Sequence, residues 1–276
     1  GYIMYGAIIG DICGSKYEGA RNIYMNKYVE IFPVGCCFTD DTAMTIAVAD
    51  ALMRPAYNDD DIKKNIVDAM VFWARKYPRA GYGGGFREWF ISVEQKPYNS
   101  FGNGSAMRVS PCALYVKSLD EALHLAKLSA EVTHNHPEGI KGAQAIAACI
   151  YMAKDGKSKD EIRDYVIKNF YNLDRSIDQI SEEGTWGCTC MVTVPVAIQA
   201  FLESTDFEDA IRNAISVGGD TDTNAAMAGS IAWSFYKRHN GDALTTDMNC
   251  MIEKVKDIIP REMLKVIKSF ERIVSK

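Results

Sequence analysis

Two acidic segments that lie far apart in the chain carry residue types suited to binding cations. They read FTDDT at residues 38–42 and GGDTDT at residues 218–223, and each precedes a stretch with helical spacing of apolar residues. Thr and Asp are common caps of helix N-termini, so capping alone is one interpretation of both segments. A cap uses one side-chain oxygen, however, whereas the two segments together offer four carboxylates. These are Asp40, Asp41, Asp220 and Asp222.

The spacing of these aspartates favours hard divalent cations. Residues one or two apart do not share a helix face, so the carboxylates would fan around a helix end and present oxygens from different directions. Mg²⁺ and Mn²⁺ bind carboxylates, hydroxyls and water, and the segments have no neighbouring Cys or His cluster that would favour zinc. If the two segments converge in the fold, four carboxylates shared by two ions about 3.5–4 Å apart would balance the charge of a dinuclear site.

A polar loop rich in glycine is a second candidate site. In the stretch KPYNSFGNGSAMR at residues 96–108, the loop residues permit left-handed conformations and expose N–H groups that can wrap a phosphate. They are Asn99, Ser100, Gly102, Asn103 and Gly104. An ordinary surface turn has the same composition, and this alternative stays open. The segments AGYGGGF (80–86) and DGKS (155–158) lack the glycine spacing of dinucleotide-binding and Walker motifs, so we reject both of those interpretations.

Glu18 and the histidines of THNHPEG (133–139) are further candidates. Glu18 is expected in a loop after the first helix, either as a general base or as a surface residue. His134 and His136 precede a helix, where a histidine either hydrogen-bonds a ligand or caps and packs. The eight cysteines include no C-x-x-C pair and indicate reduced core thiols, with a catalytic Cys paired with His134 or His136 as the alternative.

The segments that must position these residues are helical almost throughout. Apolar residues that recur three and four positions apart predict helices over residues 40–52, 60–77, 118–132, 136–154, 158–170, 206–215 and 223–238. MVTVPVAI (191–198) has β-branched residues, but Pro195 fits a helix start as well as a strand. We therefore expect an all-α, compact helical bundle that forms a single domain over residues 1–276.

Composition restricts the classes of partner. The chain of 276 residues has a net charge of −5 and no Lys/Arg-rich block, which argues against general nucleic-acid binding but not against a phosphate pocket. Its apolar runs are too short to span a bilayer, so we expect no membrane partner and a cytoplasmic location. We also expect a monomer.

Five ordered motifs resemble those of the ADP-ribosylglycohydrolase family. They are GAIIGDICGSKYEG, FTDDTAM, NSFGNGSAMRVSP, THNHPEGIKGA and VGGDTDTNAAMAGSIA, and the similarity runs from about residue 5 to residue 236. The order and wide spacing of the two acidic motifs make the resemblance specific. It implies an all-α fold with a dinuclear Mg²⁺ or Mn²⁺ centre in a cleft, and thus a function for GGDTDT as half of a metal site.

The resemblance also implies roles for individual residues. The expected metal ligands are Thr39, Asp40, Asp41, Asp220, Asp222 and Thr223. Asp222 would bridge the two ions, and Glu18, Asp41 and Asp222 are the expected catalytic carboxylates. The expected contacts to the diphosphate and distal ribose are Ser100, Gly102, Asn103, Gly104 and His134.

The function that follows is hydrolysis of the glycosidic bond between ADP-ribose and an acceptor, with release of ADP-ribose. The acceptor is a protein side chain or a small molecule, and its linkage to arginine, serine or another group stays open. A non-catalytic, metal-dependent module that binds ADP-ribose or a nucleotide is the alternative. A helical scaffold whose Thr-Asp clusters are only caps is a third possibility.

Overall fold

The computed structural model describes residues 1–19 and 27–276, which form fifteen α-helices and no β-strand. The all-α prediction is therefore confirmed. In chain order the helices are α1 (Tyr5–Gly14), α2 (Asp40–Leu52), α3 (Asp59–Lys76), α4 (Gly84–Ile91), α5 (Gly104–Met107), α6 (Ser110–Tyr115), α7 (Leu119–Glu131), α8 (Pro137–Lys154), α9 (Lys159–Asn169), α10 (Ile177–Glu183), α11 (Cys190–Leu202), α12 (Phe207–Ser216), α13 (Thr221–His239), α14 (Thr246–Ile258) and α15 (Arg261–Val274).

The seven helices predicted from periodicity are present, with ends within two residues of those predicted. Ser118, Ser158 and Asp206 cap α7, α9 and α12 as their sequence positions indicate. The ambiguous stretch at 191–198 lies inside α11, which contains Pro195. Among the described residues, no helix is both long and apolar enough to cross a membrane.

Helix α13 lies at the centre of the bundle and packs against α1, α8, α11 and α12. Every residue of α13 from Thr221 to Phe235 is buried, because small side chains in this segment allow neighbouring helices to approach closely. The closest approach is to α1, where a Cβ added to Gly10 would lie only 2.0 Å from the carbonyl oxygen of Ala225. Backbone therefore packs directly against backbone along this pair.

The contact between α1 and α13 determines where the acidic segments meet. The Thr221 hydroxyl at the start of α13 donates a hydrogen bond of 2.8 Å to the carbonyl oxygen of Gly14 at the end of α1. Helix α2 packs against α1 and begins at Asp40. The N-termini of α2 and α13 thus converge beside the last turn of α1, so the fold brings FTDDT and GGDTDT together.

We expect Gly10→Ala to lower the free energy of unfolding by about 3 kcal/mol, the upper end of the usual cost of overpacking, because the added methyl group meets backbone on the facing helix. Gly84→Ala is the matched control, since a Cβ there has no heavy atom within 4 Å. Gly84→Ala should raise the free energy of unfolding by less than about 1 kcal/mol, because Ala is preferred to Gly in a helix. Urea unfolding of both variants measures the difference, and equal stability of Gly10→Ala and the wild type would contradict this packing.

A buried carboxylate cluster beside a polar cleft

The side chain of Thr39 lies where the three helix ends meet. Its hydroxyl is 2.6 Å from Asp11 Oδ1, 2.8 Å from Asp41 Oδ1 and 3.3 Å from Asp222 Oδ2. The same oxygen accepts a hydrogen bond of 3.3 Å from the Asp41 amide, so Thr39 does cap α2. The Asp220 side chain, by contrast, forms no capping hydrogen bond to α13. Capping alone therefore does not explain the second acidic segment.

Asp11 is a buried member of this cluster that sequence analysis did not identify. Its carboxylate accepts hydrogen bonds from the backbone N–H and the hydroxyl of both Thr39 and Thr42, at 2.6–3.1 Å. These four bonds fix the start of α2 against α1. The available signal was a carboxylate within the otherwise apolar turn IIGDIC, which requires buried partners.

The carboxylates form two overlapping groups. Asp11, Asp41 and Asp222 each place a carboxylate oxygen within 4.8 Å of the other two, and so do Glu18, Asp220 and Asp222. Asp222 belongs to both groups, and neither contains Cys or His. Oxygen donors without sulfur or nitrogen suit a hard cation such as Mg²⁺ or Mn²⁺.

Among the described residues, no Lys or Arg forms an ion pair with the aspartates of this cluster. Burial, together with the neighbouring aspartates, raises the pKa values of Asp40, Asp41 and Asp222 well above their usual range. Burial also raises the pKa of Asp11 to about 6, although its threonine hydrogen bonds act in the opposite direction. Asp41 Oδ2 and Asp222 Oδ1 are buried and have no hydrogen-bond partner among the described residues. These two oxygens are available as ligands for a divalent cation.

The loop at residues 99–105 is connected to this cluster. Asn103 Nδ2 donates hydrogen bonds to Asp220 Oδ2 at 2.8 Å and to Thr193 Oγ1 at 3.1 Å. The loop backbone pairs with the segment before α11, through the Asn103 amide to Cys188 O at 2.8 Å and the Cys190 amide to Phe101 O at 2.9 Å. The loop is therefore held in place and is not a free surface turn.

A cavity of about 290 Å³ lies between the loop and the carboxylates. Ten of the predicted site residues line it, namely Glu18, Asp40, Ser100, Gly102, Asn103, Gly104, His134, Asp220, Asp222 and Thr223. Thr39 and Asp41 contact the lining aspartates but do not line the cavity themselves. The lining also includes Gly81 and Phe86 of AGYGGGF, a segment expected to influence the choice of acceptor, and Tyr98 and Arg108, for which the sequence predicts no role.

The two candidate histidines have different environments. His134 lines the cavity, and its burial, aided by the positive charge of Arg108, lowers its pKa well below the usual value. Its ring is therefore neutral at physiological pH. His136 instead caps α8, where its Nδ1 accepts a hydrogen bond of 3.0 Å from the Glu138 amide.

The cysteine alternative gains no support from the structure. All eight cysteines are free thiols, and Cys188 lines the cavity. Burial raises the pKa of Cys188, which disfavours the thiolate that nucleophilic catalysis requires.

We expect Asp222→Asn to stabilise the metal-free protein, because it removes one of several buried charges of the same sign. A gain of about 1–2 kcal/mol in the free energy of unfolding is typical when such a strained functional group is relieved. Thermal melts in excess chelator measure it, with exposed Asp174→Asn as a control that should leave stability unchanged. A less stable Asp222→Asn protein under these conditions would show that the cluster is not strained.

Comparisons with known proteins agree with this geometry. The family model described as ADP-ribosylglycohydrolase matches residues 3–238. The chain is 26% identical over 309 residues to ADP-ribosylhydrolase ARH3 of Bos taurus, covering 84% of this chain and 83% of that protein. It is 28% identical over 263 residues to ADP-ribosylarginine hydrolase Tri1 of Pseudomonas putida (strain GB-1), covering 84% of this chain and 69% of that protein.

A solved structure described as an ADP-ribosylglycohydrolase-related protein complex has the same fold. Its TM-score is 0.72 at 22% identity, and the match covers 98% of this chain and 96% of that one. Because the family model extends over most of its length, the chain belongs to the ADP-ribosylglycohydrolase family.

Proposed function

We propose that this protein is a metal-dependent hydrolase that cleaves the glycosidic bond between ADP-ribose and an acceptor, releasing ADP-ribose. The observation that carries the proposal is the pair of unpartnered oxygens, Asp41 Oδ2 and Asp222 Oδ1, in a carboxylate cluster that adjoins the cavity. A scaffold protein would gain nothing from burying these charges, whereas a site that binds cations requires them. The family membership supports the same class of reaction.

The residues proposed to hold two divalent cations, Mg²⁺ or Mn²⁺, are Thr39, Asp40, Asp41, Asp220, Asp222 and Thr223. Asp222 is the proposed shared ligand, because its carboxylate belongs to both carboxylate groups. Bound cations would supply positive charge that orients the ribose hydroxyls and lowers the pKa of water.

The polar loop is proposed to bind the diphosphate and distal ribose. Ser100, Gly102, Asn103 and Gly104 line the cavity, and Gly104 begins the short helix α5. The contacts of the loop backbone with the segment before α11 fix these residues before substrate arrives. Holding the sugar in one orientation brings C1 and the attacking water together, which removes much of the entropic part of the barrier.

Glu18 is proposed to accept a proton from the attacking water. Burial and the nearby Asp220 raise the pKa of its carboxyl group towards neutral pH, where a general base is most effective. The Gly19 amide donates a hydrogen bond of 3.1 Å to Gly219 O, so the loop that carries Glu18 is tied to the GGDTDT segment. The surrounding carboxylates would also favour the positive charge that develops on the ribose in an oxocarbenium-like transition state.

The acceptor is proposed to be a protein side chain or a small molecule that enters past the AGYGGGF segment. Gly81, Gly83, Gly85 and Phe86 of this segment line the cavity, so their shape would influence which linkage fits. The Tri1 relative acts on ADP-ribosylarginine according to its name, which makes arginine the first linkage to assay. A single domain over residues 1–276, a monomer, a cytoplasmic location and the absence of nucleic-acid binding stay predictions.

We expect Asp41→Asn and Asp222→Asn each to lower hydrolysis by at least about 100-fold, the loss typical when a group that stabilises transition-state charge is removed. ADP-ribose release from ADP-ribosyl-arginine and ADP-ribosyl-serine peptides in saturating Mg²⁺ or Mn²⁺ measures this loss. Asp174→Asn, in an exposed loop, should keep full activity. Wild-type rates in both site variants would refute the metal assignment.

Thermal melts of metal-stripped protein separate the enzyme from a non-catalytic module that binds ADP-ribose. A ligand at 100 times its Kd stabilises the folded state by about 2.7 kcal/mol. We expect ADP-ribose to stabilise the wild type by this order only when Mg²⁺ or Mn²⁺ is present. Such stabilisation without release of ADP-ribose from any tested linkage would favour the binding module.

A further inference from the structure

The two ring nitrogens of His134 have different surroundings. Nδ1 lies 2.6 Å from the hydroxyl oxygen of Thr133. Nε2 makes no hydrogen bond to the described residues and lies against the loop, since a Cβ on Gly104 would be 3.0 Å from it. Because His134 lines the cavity, Nε2 is the ring nitrogen that a ligand would meet. Whether it offers a proton or a lone pair depends on the tautomer of the ring.

Thr133 connects His134 to a buried arginine. Arg108 Nη2 donates hydrogen bonds to Thr133 Oγ1 at 2.9 Å and to Ser129 O at 2.8 Å. A guanidinium has donors and no acceptor, so the Thr133 oxygen must accept this bond. Arg108 and Thr133 are 1% and 0% exposed, so their hydrogen bond is shielded from bulk water.

The remaining hydrogen of the Thr133 hydroxyl has two possible acceptors. Nδ1 of His134 is 2.6 Å away, whereas the carbonyl oxygen of Ala130 is 3.4 Å away. Hydroxyl hydrogen bonds to oxygen normally measure about 2.5–3.0 Å, so the Ala130 contact is too long to compete. In the opposite tautomer Nδ1–H would donate to Thr133 Oγ1, and the threonine hydrogen would be left with the long Ala130 contact. The distances therefore favour a hydrogen that points to Nδ1, with Nδ1 as the unprotonated nitrogen of the neutral ring.

We propose that Arg108 and Thr133 are positioning residues that hold His134 in the Nε2–H tautomer, so that the ring donates a hydrogen bond to an anionic oxygen of the ligand. The proposal rests on the proposed function in one respect, namely that the oxygen belongs to the diphosphate of ADP-ribose. The opposite tautomer would direct the Nε2 lone pair at that oxygen and repel it.

The charge of Arg108 supports the same role. Its guanidinium forms no ion pair with a carboxylate of the described residues, and its Nε is buried without a hydrogen-bond partner among them. A buried cation without a counterion is costly, and this one lines the cavity. Its field attracts an anionic ligand and, together with the larger effect of burial, lowers the pKa of His134.

The tautomer can be measured directly. We expect a long-range ¹H–¹⁵N correlation spectrum of the metal-free full-length protein at pH 7.5 to show His134 as the neutral Nε2–H form. The chain has only four histidines, and loss of one signal set in His134→Gln assigns the ring. An Nδ1–H or doubly protonated His134 in the wild type would overturn the proposal, whether or not any variant folds.

Two substitutions at Thr133 test the link to binding. Thr133→Val keeps the shape of the side chain but removes the hydroxyl, whereas Thr133→Ser keeps the hydroxyl and is the matched control. We expect Thr133→Val to lose the single tautomer and to bind ADP-ribose about tenfold more weakly in Mg²⁺, the effect of roughly one hydrogen bond. Thr133→Ser should keep the wild-type spectrum and restore the affinity to within about twofold.

Calorimetric titration separates the failure of this proposal from that of the proposed function. Equal ADP-ribose affinities of Thr133→Val and the wild type would overturn the positioning role while leaving the proposed function intact. A wild type that binds no ADP-ribose with either Mg²⁺ or Mn²⁺ would refute the proposed function. In that case the tautomer assignment could still hold. It would be supported by the Nε2–H form in the spectrum of the ligand-free wild type and by the loss of this form in Thr133→Val.

Discussion

Repulsion among buried carboxylates is the constraint on which the rest of this structure depends. Asp11, Asp41 and Asp222 come from three helices and lie together almost without access to water. Such an arrangement persists only if the surrounding fold holds these helices more strongly than the charges push them apart. The glycine-mediated backbone contact between α1 and α13 supplies part of that rigidity, and the four hydrogen bonds to Asp11 supply another part. Helix dipoles assist, because the N-termini of α2 and α13 both face the cluster.

Most of the fold followed from periodicity, since long amphipathic helices with clear caps have strong local signals. Helices α4, α5, α6, α10, α14 and α15 were not predicted. Helix α4 begins inside the glycine run of AGYGGGF. Glycine has a low helix propensity, but here the packing of Phe86 against Phe90 outweighs it. The end of α13 was predicted to within one residue because the local signal is strong there. A charged last turn, Lys237 to His239, follows a long run of buried residues.

Sequence analysis identified the acidic motifs and the polar loop of the candidate site but missed the buried residues Asp11 and Arg108. Aspartates and glycines stand out in loops, so the two acidic motifs and the polar loop could be located from residue types alone. Asp11 could not, because its partners Thr39 and Thr42 lie about thirty positions further along the chain and become neighbours only through tertiary packing. Arg108 was missed for a similar reason, since a lone arginine in a sequence gives no sign that it will be buried without a carboxylate.

Asn103 has a consequence for the energetics of the whole site. Its side-chain amide donates to the Asp220 carboxylate, while its backbone belongs to the loop proposed to hold the diphosphate. Ordering either partner therefore lowers the conformational entropy that the other must lose on binding. If a ligand that orders the loop raises the affinity of Asp220 for a cation by some factor, the cation must raise the affinity of the loop for that ligand by the same factor. Through this amide, the cation proposed at Asp220 and the diphosphate proposed at the loop would each favour binding of the other.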